Sequence, residues 1–215
     1  MGTYLGFDPG GYEGHGNFGW AVISGDRWPL SLVDRGIARH AQGAIEAVSS
    51  WMRNNEIDAV GIDAPLFWAR AGDRAVDQEL RNAIHQRGCP TPGGTVQSVN
   101  SLRGACLIQG MLVAMMCQEQ IAHKFLITEA HPKALLWLLG KSTAGHGPNN
   151  IALTDLYGYI GDRAHGATDH ERDAVLGALT AFAMHSRQFG WRDIYGLEAK
   201  PITTLNPPPS YWMPM

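Results

Sequence analysis

The chain has 215 residues, 45% of them hydrophobic and 17% charged, with 17 Lys and Arg against 20 Asp and Glu for a formal net charge of −3. That apolar fraction supplies a core for one sizeable domain and excludes wholesale disorder, while the low charged fraction excludes a highly charged coiled coil. A slightly acidic balance also excludes sequence-independent clamping of nucleic acid by a broad basic face, though not a local basic groove or a metal site that recruits phosphates.

Thr3 to Asp8 predicts a short strand ended by the turn Asp8-Pro9-Gly10-Gly11. Phe18 to Ser24 and Leu30 to Ile37 predict two more strands, and connections this short suit antiparallel hairpins. Ala41 to Asn54 carries Ile45, Val48, Trp51 and Met52 at helical period. It leads to a buried strand, Ile57 to Asp63, which a right-handed crossover places parallel to the first.

Asp73 to Gln86 reads as a polar helix, followed by a Gly- and Pro-containing loop. Asn100-Ser101 can cap a long apolar helix running to about His123. Phe125 to Thr128 is a short strand ending at Glu129, and His131-Pro132-Lys133 opens a further helix, with Pro132 in its first turn. Gly140 to Asn150 is a loop, and a strong helix runs from about Asp169 to Arg187. The expected organisation is a single domain over 1–200 with a helical insertion at about 70–123. An extended Pro-rich tail then occupies 201–215.

Cys89, Cys106 and Cys117 are an odd number without zinc-ligand spacing, which points to a reducing compartment. The first residues lack the basic start and apolar run of a signal peptide. The most apolar stretch, Ala105 to Cys117, falls short of the roughly 18 residues that span a bilayer. A cytoplasmic protein without a membrane segment is expected.

Asp8, Asp63 and Glu129 end apolar strands, and ligands of open α/β sheets bind beyond the carboxyl ends of the strands. Asp173 stands near the start of the last helix, on one face with His170. A single acidic residue before a turn is commonly a cap, but four at convergent positions make a constellation. Their mutual repulsion is relieved by a divalent cation, and an oxygen-rich set suits Mg²⁺ or Mn²⁺. Two such ions roughly 4 Å apart activate water and stabilise the leaving oxygen of a phosphodiester.

Gly6-Phe7-Asp8-Pro9-Gly10-Gly11 followed by Gly19-Trp20-Ala21-Val22 resembles the first hairpin of the RNase H-like superfamily. Gly61-Ile62-Asp63-Ala64-Pro65-Leu66, Arg74, Asn100 to Gly104, Thr128 to Lys133 and His170 to Ala174 extend the likeness. Together they resemble an uncharacterised family of predicted nucleases, a domain of unknown function, over about residues 3 to 187. The resemblance implies an α/β, RNase H-like fold: a five-stranded mixed sheet in order 3-2-1-4-5 flanked by helices. The spacing of His170 and Asp173 is similar to the last catalytic helix of Holliday-junction resolvases. By that resemblance Asp8, Asp63 and Asp173 are metal ligands, with Glu129 or His170 completing the set. The resolvases more often carry Glu at the second acidic position, and Glu129 has no firm counterpart in them.

Arg74, Arg81, Arg103 and Lys133 follow the acidic strand ends, where guanidinium and ammonium groups suit phosphate oxygens. Arg74, Arg103, Lys133 and His131 are the expected substrate contacts. Phe67 and Trp68 either stack a base or pack, whereas Trp20, Trp51, Trp137 and the stripe Met111, Met115 and Met116 read as core. The function expected is metal-dependent hydrolysis of nucleic acid. An actin- or sugar-kinase-like phosphotransferase is the first alternative, weakened because the chain has no second Gly-rich hairpin. A non-catalytic binding module that kept the fold is the other.

Overall fold

The structure, a computed structural model, describes residues 1–10, 16–54, 57–69, 73–99, 104–161 and 166–215. At its start β1 (Gly2–Asp8), β2 (Phe18–Gly25) and β3 (Ser31–Ala38) form an antiparallel meander, as their short connections require. Helix α1 (Ala41–Asn54) buries Ile45, Val48 and Met52, the stripe its periodicity marks out. It returns the chain to β4 (Ala59–Ile62), parallel to β1.

Between β4 and the next central strand come β5 (Trp68–Ala69), α2 (Ala75–Gln86), α3 (Pro92–Thr95) and α4 (Gly104–Gln120). Strand β6 (Leu126–Glu129) then pairs parallel with β4, and α5 (Pro132–Leu138) follows it, with Pro132 in the first turn. Helix α6 (Asp169–His185) is followed by β7 (Trp191–Asp193), β8 (Pro201–Ile202) and β9 (Ser210–Pro214). The expected cap Asn100-Ser101 lies outside the described residues.

The central sheet has the order β3-β2-β1-β4-β6-β9-β7. Its first five strands reproduce the expected order 3-2-1-4-5 in an α/β architecture. The count differs from expectation, since the sheet has seven strands rather than five. The added pair comes from the C-terminal region. Ser210 to Pro214, in the region expected as a tail, is built into the sheet, parallel to β6 and antiparallel to β7. Tyr211 and Met213 alternate with less buried neighbours and are themselves fully buried, so apolar area holds the segment against the sheet. Strand β8 instead pairs with β5 in a separate two-stranded ribbon.

Side chains alternate across the sheet, and the two faces have different covers. Leu5, Phe7, Val22, Val60, Ile62 and Ile127 share a core with α1 and α4. Tyr4, Ala21, Ile23 and Ala59 face α6, which is buried from Arg172 to Met184. The helix comes this close because Gly6 and Gly61 lack side chains: a Cβ on either would collide with the backbone of Ala174 or Gly177. Met111 and Met116 pack against the core, but Met115 is exposed along one ridge of α4 with Ile108 and Leu112, so the methionine stripe is only partly core. Among the described residues no helix is long and apolar enough to cross a membrane.

Candidate active site

Strand parity decides which acidic side chains meet. Phe7, Ile62 and Glu129 are lateral neighbours in the parallel register, so their side chains leave the same face of the sheet, the face of α1 and α4. Asp8 and Asp63 each come one residue later than their neighbours Phe7 and Ile62, and therefore emerge on the α6 side. The Asp63 N–H still donates to Phe7 O at 2.8 Å, which keeps it in the ladder.

On that side α6 supplies the remaining groups. Its N-terminus is fixed by a capping box: Thr168 Oγ1 accepts from the Glu171 N–H (3.2 Å), and the Glu171 carboxylate accepts from the Thr168 N–H (2.8 Å). Glu171 also pairs with Arg35 (3.4 Å) and is thereby accounted for. His170 in the first turn and Asp173 in the next reach toward β1. His170 Nδ1 and Asp8 Oδ2 are 2.6 Å apart. That bond and the Asp8 charge raise the His170 pKa above 6.5.

The three aspartates burden one another. Burial raises the Asp8 pKa, against the opposing pull of His170. Asp173 is pushed up to about 6 by burial and then by Asp8. Asp63 is raised well above its ordinary value, by burial and then by Asp8 and Asp173. Among the described residues its carboxylate has no hydrogen bond or ion pair. Lys133, exposed in the first turn of α5, is the cation whose charge favours the ionised form of all three.

Glu129 has a different role from the one expected. Its two oxygens accept from Arg74 Nη1 (2.8 Å) and Nη2 (2.6 Å), and Oε2 also accepts from the Leu66 N–H (2.9 Å). Arg74 in turn binds Asp77 through Nε (2.8 Å) and Nη2 (2.6 Å) and lies 4.5 Å above the Phe67 ring. It is buried beneath the site, saturated by two carboxylates, and has no free donor face for a phosphate. The expectation of Arg74 as a substrate contact and Glu129 as a metal ligand is thus corrected. Parity turned Glu129 away from Asp8 and Asp63 and into a buried Arg74–Glu129–Asp77 network. Three carboxylates, not four, remain on the α6 side.

His131 lines the same cleft, but burial and the nearby charges of Arg74 and Lys133 push it down to about 3, so it is neutral there. Arg103 lies outside the described residues. Arg81 is held by Asp73. Two participants were missed in the sequence. Arg172, fully buried, grips Asp173 Oδ1 through Nε (2.8 Å) and reaches Ile151 O through Nη1 (2.8 Å). It stands among Asp169, His170, Glu171 and Asp173 in the charged start of α6, where nothing in the sequence set it apart from a solvated arginine. Asp77 was signalled by its i, i+3 spacing from Arg74.

These groups enclose a cleft of about 330 Å³. Among the described residues, six carboxylates and two permanent cations line it, a surplus of four negative charges. An anionic substrate cannot approach such a surface without cations. The donor chemistry fits a hard divalent ion: all oxygen, crowded, with Asp63 unpartnered. The side chains are not drawn into a cage, because Asp8 leans on His170 and Asp173 on Arg172. Among the described residues no group of three or more His, Cys, Asp or Glu could hold an ion as it stands.

A family model described as "Protein of unknown function (DUF429)" matches residues 6–188. No curated protein sequence matches the chain. Among solved structures it is similar to Thermus thermophilus RuvC in complex with a Holliday junction substrate, at 14% identity and a TM-score of 0.43, covering 86% of this chain and 95% of that one. A second T. thermophilus RuvC structure matches at 15% identity and a TM-score of 0.43, covering 93% and 99%.

Proposed function

The chain belongs to the DUF429 family, and on that premise we propose that it is a divalent-metal-dependent nuclease hydrolysing phosphodiester bonds of nucleic acid. Asp8, Asp63 and Asp173 would hold Mg²⁺ or Mn²⁺. The observation that carries the reading is the unpartnered, charge-strained Asp63 just past the end of β4, facing Asp8 at the end of β1 and Asp173 on α6. A bound ion supplies an activated water and charge stabilisation for the leaving oxygen.

The chain's own residues divide the remaining work. His170 Nδ1 orients Asp8 and, with its raised pKa, holds a proton toward neutral pH at the mouth of the cleft. Arg172 fixes the rotamer of Asp173 from beneath. Lys133 meets the phosphate from the solvent side. The Arg74–Glu129–Asp77 network holds the ends of β6 and α2 together under the site, and neutral His131 fills the wall beside it.

The test is cleavage of labelled single-stranded and branched DNA and RNA in Mn²⁺. Wild type is expected to cut at least one of them, and Asp63→Asn to lose about 100-fold or more, the scale of removing one charge-stabilising group. Cleavage by Asp63→Asn at the wild-type rate contradicts the proposal.

A further inference from the structure

Beside the aspartate cleft lies a second cavity, of about 220 Å³, with the opposite character. Its walls are almost wholly apolar: Trp68, Ile202, Leu107, Met111 and Pro65 line it. Trp68 and Ile202 are cross-strand partners in the β5–β8 ribbon, and both present large apolar surface to solvent, at 40% and 51% exposure. Thr203, also in the wall, donates its hydroxyl to Leu66 O (2.9 Å) and accepts from the Leu205 N–H (3.2 Å). That hydroxyl is spent on holding the ribbon in place.

The two cavities share a wall. Pro65 lines both, and adjacent residues of α4, Cys106 and Leu107, line one each. Pro65 is two residues from Asp63, a reach of about 7 Å at most. That spacing is short enough for a phosphate held at Asp63 to direct its own nucleoside toward the apolar cavity. An exposed indole beside aliphatic side chains is the surface on which a base stacks, through its π face and without reading its edge. A base inside a duplex has no free face to offer, since its neighbours already cover it.

We infer that the cavity between the β5–β8 ribbon and α4 receives an unpaired nucleobase, so that the chain acts on nucleic acid that is single-stranded next to the scissile phosphate. The inference rests on the proposed nuclease reading and names the substrate class of that site. Trp68 is the stacking platform, Ile202 and Met111 close the sides, and stacking on them is tolerant of base identity.

The experiment measures fluorescence anisotropy of a short labelled oligothymidylate with phosphorothioate linkages, which slow hydrolysis, and of a duplex of equal length, both in Mn²⁺. Trp68→Ala is expected to weaken single-strand binding about 10-fold or more, the effect of losing one base stack. Trp68→Phe stays near wild type, and duplex binding does not move. Ile202→Glu, beside Trp68 in the ribbon, gives the same loss should Trp68→Ala fail to fold. Equal affinity of wild type and the folded variants overturns the inference. So does a wild-type chain that binds Mn²⁺ in a separate titration yet ignores the single strand, a result that leaves the metal reading intact. Trp68-dependent binding without any Mn²⁺ binding does the reverse: it supports the cavity and overturns the metal reading.

Discussion

Arg74 sits 3% exposed between Glu129 and Asp77, so its removal strands two buried carboxylates at once. Breaking a buried pair in this way costs about 3–5 kcal/mol. Arg74→Met is therefore expected to lower unfolding stability in urea by that amount. Adding Glu129→Gln and Asp77→Asn should restore part of the loss, because it removes the unpaired charges. A single Arg74→Met variant as stable as wild type contradicts the network's role. Arg74 and Glu129 were legible in the sequence as residues of interest but not as partners of one another. Spacing along the chain signals Asp77, whereas the 55-residue separation of Arg74 and Glu129 is closed only by the tertiary fold. The parity of Glu129 was present but unread: Ile127 and Glu129 stand two apart on one face, and the glycine–aspartate pairs Gly6/Asp8 and Gly61/Asp63 define the other, yet Glu129 was grouped with the aspartates.

Helix α6 is positioned by absence, through glycines that let its backbone rest on β1 and β4. Its distance from the sheet sets how closely Asp173 and His170 approach Asp8. Gly61→Ala forces a Cβ into the Gly177 carbonyl, where no flexible side chain can yield. Overpacking of this kind costs about 1–3 kcal/mol or more. The variant is expected to melt lower and, where it folds, to bind Mn²⁺ more weakly through the displaced helix. A Gly61→Ala protein with unchanged stability and metal affinity contradicts the close-packing account. The longer elements through α6 were read from the sequence pattern nearly to their ends, whereas the short β5 and α3 were not. Strand β9 was not, because the run Pro207-Pro208-Pro209 signals extended chain and masks the alternation of Tyr211 and Met213 beyond it. What pairs with such a segment is set by a free sheet edge at β6, which no local pattern reveals.

Across the whole molecule the site opposes the fold that carries it. Asp173 binds its proton more tightly folded than unfolded, with its pKa moved from 3.8 to about 6. Between those values the native state holds the extra proton, so metal-free stability falls as pH rises through that window. Asp8 and Asp63, also raised, push in the same direction. His170, raised from 6.5, contributes stability that is complete below 6.5 and fades as pH climbs past its folded value. As pH climbs through these raised values the metal-free protein takes on the repulsion of its aspartates. A divalent ion that binds only the folded state offsets it by mass action.

Thermal unfolding of wild type and Asp63→Asn at pH 7.5, with and without Mn²⁺, reads this balance directly. Without metal, Asp63→Asn should melt above wild type, with a gain of about 0.5–2 kcal/mol from removing one strained charge. With Mn²⁺, wild type should rise with ion concentration while the variant stays put. Contradiction would be an Asp63→Asn protein that melts below wild type without metal, together with a wild-type midpoint that Mn²⁺ leaves unmoved.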